Sequence, residues 1–291
     1  MNDIPTQQPT VGADLRGRVA LITGAGRARG MGRATALALA AAGADVVVTD
    51  LGQTRTDLQA RGIGLGDNLE ELEETADLAR ALGRRALALS LDVTDSERAR
   101  AVVNDASAAL GTIDILVNNA GTAVGTEPFF DIQPHHWQLS WSVNVLGAVN
   151  LVQAVAPGMV KARRGAIINI ASTLGIAALA EYGAYVVTKH AVVGLTRLLA
   201  RELGPSGIRT NAVAPGYIVT DMGHAELSMV AAQLGVDEDT ASTAIVEEIP
   251  LGRIGVPDDV AGVTAWLATS AASFINGAVI PVSGGQIAGF A

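Results

Sequence analysis

The chain has no cysteine. Disulfides, cysteine-ligated zinc and a thiol nucleophile are therefore excluded. Aromatic residues are scarce, at 3% of 291 residues, so the core has to be built from Ala, Val, Leu and Ile. Basic clusters are missing as well. Lys and Arg number 20 against 29 Asp and Glu, a net charge of −9, and no run of them forms a nucleic-acid stripe. Long apolar runs are also lacking. Residues 132–160 and 260–291 carry no Asp, Glu, Lys or Arg, but polar residues, Gly and Pro interrupt them before ~20 apolar residues accumulate. They read as buried helix or subunit interface, so neither a membrane nor a nucleic acid is expected as a partner. The opening MNDIPTQQPT lacks the basic start and apolar middle of a secretion signal, and a cytoplasmic location is expected. No metal is expected.

What is present is an alternation. Residues 1–16 read as a flexible tail and 17–291 as one domain. Short apolar runs at 19–22, 45–50, 86–91, 113–117, 166–170, 209–213 and 278–282 read as buried strands. Between them, 33–42, 70–82, 96–110, 137–155, 182–203 and 258–268 read as helices, several closed by Gly. This rhythm predicts an α/β protein: a single-domain, Rossmann-like, doubly wound parallel sheet of seven strands flanked by helices. One segment breaks it, an insertion over 51–69 after the second strand, and a loop that long is usually functional or flexible.

Between the first strand and first helix lies Thr23-Gly-Ala-Gly-Arg-Ala-Arg-Gly-Met-Gly32. Glycines here let a pyrophosphate approach the backbone, and the helix N-terminus offers N–H groups to its charge. Gly24, Gly26 and Gly30 leave one residue too many for the generic G-x-G-x-x-G. Asp50 closes the second strand. A carboxylate there accepts hydrogen bonds from the adenosine ribose and repels a 2′-phosphate, which favours NAD over NADP. Arg27 and Arg29 pull the other way. The better-defined position of Asp50 decides for NAD.

Tyr185 and Lys189 are four apart on a predicted helix and share one face. A phenol titrates near ~10, and a neighbouring ammonium is expected to lower that value and make the tyrosine an acid/base. Ser172 follows the 166–170 strand at its ligand-binding end and can hold a substrate oxygen. Taken singly, each residue has a bland reading. A Tyr-x-x-x-Lys is a common surface pair, a serine after a strand is a common cap, and Asn144 in an apolar helix is a buried, satisfied amide.

The ordered set Thr23-Gly24…Gly30-Met-Gly32, Asp92-Val93, Asn118-Asn-Ala-Gly121, Asn144, Ser172, Tyr185-x-x-x-Lys189 and Pro215-Gly216…Thr220 resembles the classical short-chain dehydrogenases/reductases, from about residue 15 onward. The resemblance implies Asn144, Ser172, Tyr185 and Lys189 as the catalytic set, with Ser172 and Tyr185 touching substrate. Lys189 then also holds the nicotinamide ribose, and Asn144 a water linking the lysine to solvent. It implies cofactor contacts from Gly24, Arg29, Gly30, Met31, Gly32, Asp50, Leu51, Asp92, Val93, Asn119, Ala120, Gly121, Tyr185, Lys189, Pro215, Gly216, Ile218 and Thr220. It further implies a homotetramer and a substrate lid over 222–249. Met222, Leu227, Met229 and Val230 make that lid apolar, so a neutral, fairly hydrophobic secondary alcohol or ketone is expected.

The glycine loop departs from the family's T-G-x-x-x-G-x-G by two extra residues if Gly30-Met-Gly32 opens the helix, the register preferred here. The site of the 51–69 insertion resembles the carveol-dehydrogenase-like subset, and the loop is expected to cover the adenosine end and slow cofactor release. Two other classes stand beside alcohol oxidation: enoyl reduction or epimerisation on the same scaffold, and a non-catalytic binding relative. The divergent enoyl reductases separate Tyr and Lys by more than four residues, and non-catalytic relatives lose one of the two.

Overall fold

The computed structural model describes residues 14–52 and 69–286. The bulk of the 51–69 insertion, and with it the expected cover over the adenosine end, lies outside the described residues. Seven parallel strands form one sheet in the order β3-β2-β1-β4-β5-β6-β7. They are β1 (Val19–Thr23), β2 (Asp45–Asp50), β3 (Ala86–Ser90), β4 (Ile115–Asn118), β5 (Gly165–Ile170), β6 (Ile208–Pro215) and β7 (Val279–Val282). β1 pairs with β2 from Val19↔Asp45 and with β4 from Ala20↔Ile115. The winding therefore reverses between β1 and β4, and a crevice opens above their C-terminal ends.

One face of the sheet carries α1 (Met31–Ala41), α2 (Leu69–Ala81) and α9 (Pro257–Ala268). The other carries α3 (Ser96–Leu110), α5 (Gly147–Ala162) and α6 (Gly183–Leu203). Leu39, Leu72 and Val260 pack under the first face, and Val102, Leu151 and Leu199 under the second. The largest fully buried side chains are Leu, Ile and one Met, as the low aromatic content required. Burying each stabilises the fold by roughly 1.5–3 kcal/mol.

The structure corrects the sequence reading in two places and adds detail in a third. The expected tail ends before Leu15, which is buried and donates its N–H to Ala42 O. An apolar residue beside the first strand packs rather than fraying. The helix expected over 137–155 is longer. It starts as α4 (Pro134–Trp141), with proline in its first turn where no N–H is needed. It widens into a π turn (Ser142–Leu146) and continues through α5. This stretch has the length of a membrane span, but half of its most apolar window is buried inside the protein. Finally, the 222–249 segment forms two helices, α7 (Asp221–Leu234) and α8 (Glu238–Glu247), capped by the side chains of Thr220 and Asp237.

Candidate active site

The predicted residues gather along the C-terminal edge of the sheet. Gly24 follows β1 with a positive φ of 69°. α1 begins at Met31 with Gly30 as its N-cap, which bears out the longer glycine loop. A Cβ on Gly32 would stand 2.2 Å from Gly24 O, so backbone must pass where a side chain would sit. No side chain caps α1 and no acid lies in its first turn. Its free N–H groups and the side-chain-free cradle fit a dinucleotide pyrophosphate.

Thr23, Asn119 and Ala120 lock this cradle to β4. The Thr23 hydroxyl accepts the N–H groups of Asn119 and Ala120, and the Asn119 amide donates to Thr23 O and Gly24 O at 2.9 Å. Asp50 ends β2 and accepts the N–H groups of Gly26 and Leu51, both at 2.8 Å. Asp92 binds the Thr94 N–H and hydroxyl, and Val93 packs in the core against Gly147. Arg29 has a partner the sequence did not suggest. Its guanidinium donates to Asp221 on the lid at 3.0 and 2.7 Å, with Arg27 at 3.9 Å from the same carboxylate.

A cavity of about 470 Å³ lies between this edge and the lid. Met31, Asn119, Gly121, Ser172, Tyr185, Lys189, Pro215, Gly216, Ile218 and Thr220 all line it. Lys189 is 6% exposed, and its Nζ donates to Ile170 O at 2.9 Å and sits 5.5 Å from the Tyr185 ring centre. Gly121 faces them: a Cβ there would stand 3.2 Å from Asn144 Oδ1 and 3.7 Å from Lys189 Nζ. Asn144, in the π turn, lies behind the cavity wall. Its amide donates to Thr122 O and Thr188 Oγ1 at 3.0 Å and accepts Thr122 N–H at 2.8 Å. Ser172 both lines the cavity and caps the turn after β5, accepting Leu174 N–H at 3.1 Å.

The electrostatics differ from the sequence expectation. Burial pushes the Tyr185 phenol up to about 12, although the neighbouring Ser172 hydroxyl works in the opposite direction. Burial also brings the Lys189 ammonium down to about 8. The lysine does not lower the phenol because it lies over the ring and bonds a carbonyl, while desolvation penalises both charged forms.

Several cavity residues escaped the sequence reading, among them Tyr182, Tyr217 and Glu226. Tyr182 is buried and donates its hydroxyl to Glu226 Oε1 at 2.6 Å. Burial raises the Glu226 carboxyl, partly offset by that hydrogen bond. The Tyr217 hydroxyl is buried with no hydrogen-bond partner. One signal was available in the composition. The chain has only three tyrosines, and all of them line this cavity.

A dinucleotide cradle beside a cavity floored by tyrosine, serine and lysine defines a nicotinamide-linked oxidoreductase site. A family model described as enoyl-(acyl carrier protein) reductase matches residues 24–286. A 2-dehydro-3-deoxy-D-gluconate 5-dehydrogenase of Dickeya dadantii (strain 3937) is 37% identical over 278 residues, covering 94% of this chain and 97% of the relative. A cyclohexanol dehydrogenase of Rhodococcus sp. (strain TK6) is also 37% identical, over 93% of this chain and 96% of the relative. Carveol dehydrogenase from Mycobacterium avium, solved with NAD, superposes with a TM-score of 0.87 at 30% identity, covering 94% of this chain and 98% of that one. The chain belongs to the short-chain dehydrogenase/reductase family. These relatives support alcohol–ketone oxidoreduction with a nicotinamide cofactor as its general activity.

Proposed function

We propose that the protein is an NAD-dependent dehydrogenase or ketone reductase for a neutral, fairly apolar secondary alcohol–ketone pair, with Tyr185 as general acid/base. The observation that carries this reading is the meeting of Tyr185, Ser172 and Lys189 on the floor of one cavity beside the dinucleotide cradle. Gly24, Gly30 and Gly32 would hold the pyrophosphate and Asp50 the adenosine ribose. When bound, the nicotinamide supplies or accepts the hydride, and its oxidised, positive ring favours the phenolate. In oxidation Tyr185 takes the alcohol proton, and in reduction it returns it. Ser172 hydrogen-bonds the same oxygen and holds it near the phenol. Lys189 sets the charge beside Tyr185, and Asn144 positions the helix that carries both through Thr188. Leu179, Met229 and Val230 line the cavity and exclude water.

Asp50 supports NAD over NADP, as does the pairing of Arg29 and Arg27 with Asp221, which offsets the positive charge that a 2′-phosphate would need. The likeness to the NAD-bound carveol dehydrogenase supports the insertion-bearing subset. A homotetramer is part of the same reading, supported by exposed Trp141, Leu146 and Val160 in the charge-free stretch 132–160 and by exposed Trp266 and Phe274 near the C-terminus. The test is turnover of a panel of secondary alcohols with each cofactor. The expected result is NAD-linked oxidation with kcat/KM at least about tenfold above that with NADP. A preference for NADP would overturn the cofactor assignment. Failure of every alcohol with both cofactors, in protein that still binds NAD, would overturn the reaction.

A further inference from the structure

The cavity is apolar on most of its lid side, yet two carboxylates line it: Glu248 is exposed and accepts from Gln286, whereas Glu226 stands against Tyr182. Glu226 projects from α7, and Met229 and Val230 of the same helix line the cavity with it. Among the described residues no Lys, Arg or His pairs with it. Its side-chain partner is the Tyr182 hydroxyl, which donates to Oε1 at 2.6 Å. Oε2 is left to accept a further donor. Tyr182 in turn stands edge-on to Tyr185, with ring centres 6.5 Å apart. Tyr217 feels the same carboxylate, and its buried hydroxyl is unpartnered.

A carboxylate set beside the acid/base, with a second oxygen that is not among the buried unpartnered atoms, can exchange a cavity water for a donor on the substrate. A plain hydrocarbon alcohol offers it nothing. We propose that Glu226, held by Tyr182, is a second substrate anchor, and that the substrate is a neutral alcohol or ketone carrying another hydroxyl close to the reacting carbon. The inference rests on the function proposed above. The substrate's second hydroxyl donates to Glu226 while its carbinol oxygen meets Tyr185 and Ser172. The apolar wall of Leu179, Met229 and Val230 covers the rest of the carbon frame. An anionic substrate is disfavoured by the same carboxylate, which would face it at short range.

The experiment compares cyclohexanol with trans-cyclohexane-1,2-diol as probes, in wild type, Glu226→Leu and Glu226→Gln. A hydrogen bond to a charged acceptor is worth enough to set a preference of about tenfold or more. The wild type should favour the diol by that factor in kcat/KM, through KM rather than kcat. In Glu226→Leu the diol-to-cyclohexanol ratio should fall by about tenfold or more. Glu226→Gln keeps an acceptor oxygen and should retain more of the ratio than Glu226→Leu. NAD binding, measured on each variant, reports folding. Turnover of both probes without a diol preference would overturn this proposal alone. Equal loss on both probes in Glu226→Leu would overturn it too, by making Glu226 structural. Preference for trans-2-aminocyclohexanol over the diol would replace the hydroxyl by a cation. Failure of every secondary alcohol with either cofactor would overturn the parent reading, and this one with it.

Discussion

The floor of the cavity and the lid above it are held by different means. Floor residues stand at strand ends or on α6, fixed by backbone and buried partners. Lys189 bonds Ile170 O, Asn144 bonds Thr122 and Thr188, and Asn119 ties β4 to the turn after β1. The lid is two short helices tied down at their first turns, by Thr220, by Asp237 and by an exposed ion pair between Arg29 and Asp221. A group that moves a proton needs its distance fixed to a fraction of an ångström. A group that selects substrates does not, because a specificity contact works through binding energy alone. In the function proposed above, the floor carries the reaction and the lid the choice of alcohol.

The strongest way to break that division is at Tyr185. Tyr185→Phe removes the hydroxyl and leaves the ring beside Tyr182 and Lys189. General acid/base catalysis is worth about 10²–10⁴-fold, and kcat should fall by that factor. NAD binding should persist, weakened only by the one cofactor contact implied for Tyr185, since the glycine cradle and Asp50 lie on other loops. Wild-type oxidation should also rise with pH, because burial keeps the phenol up to about 12 and the base form grows as pH approaches it. Steady-state kinetics with NAD titration checks both. A Tyr185→Phe enzyme with near-normal kcat would move the acid/base elsewhere, and the lid with its Glu226 would become the place to look.

Floor and lid also differ in how far the sequence shows them. Strand positions are legible because parallel strands buried on both faces read as near-continuous apolar runs, as in Val19–Thr23 and Ile115–Asn118. Tyr185 and Lys189 are legible because helical periodicity links positions four apart. Glu226 has no such relation to Tyr182. The two meet only because α7 folds over the N-terminus of α6, and a glutamate among Ala, Leu and Met on a predicted lid reads as a solvated charge. The extent of the α4–α5 helix was hidden for a local reason. Pro134 looks like a stop, but it sits in the first turn, where proline costs no hydrogen bond. The phenol shift is not legible in the sequence, because spacing shows which charges are neighbours and says nothing of how much water is lost around them.

A smaller effect separates the floor's chemistry from its stability. Burial brings the Lys189 ammonium to about 8, so the folded protein holds that proton less tightly than the unfolded chain. Below about pH 8 both states are protonated and the full penalty applies. It fades as pH rises from about 8 towards the unfolded value of ~10.4, because the unfolded chain then holds more protons. Lys189→Met removes the ammonium and keeps an unbranched side chain. The variant should be inactive yet more stable than wild type at pH 7, by up to about 3 kcal/mol, with the gain shrinking by pH 10. Denaturant unfolding at the two pH values measures it. A gain that is the same at both would mean that packing, and not the buried charge, sets the difference.

The smallest effect belongs to the seam where floor and lid meet. Arg29 and Asp221 are 64% and 33% exposed in their side chains, and a pair so exposed contributes little to stability, roughly 0–1 kcal/mol. Its influence falls instead on which charges face the nucleotide. With Asp221 in place, Arg29 and Arg27 are held at the start of the lid. Asp221→Ala frees two guanidiniums beside the glycine loop, where they can meet a 2′-phosphate. Asp50 still opposes that phosphate, so the preference for NAD should narrow without reversing, by about two- to fivefold. The narrowing should be larger at low ionic strength, because exposed charges are screened within about 10 Å at 0.1 M salt. Ratios of kcat/KM for NAD and NADP at two salt concentrations provide the measurement. An unchanged ratio at both would mean that Asp50 alone sets the cofactor choice and that the seam serves only to anchor the lid.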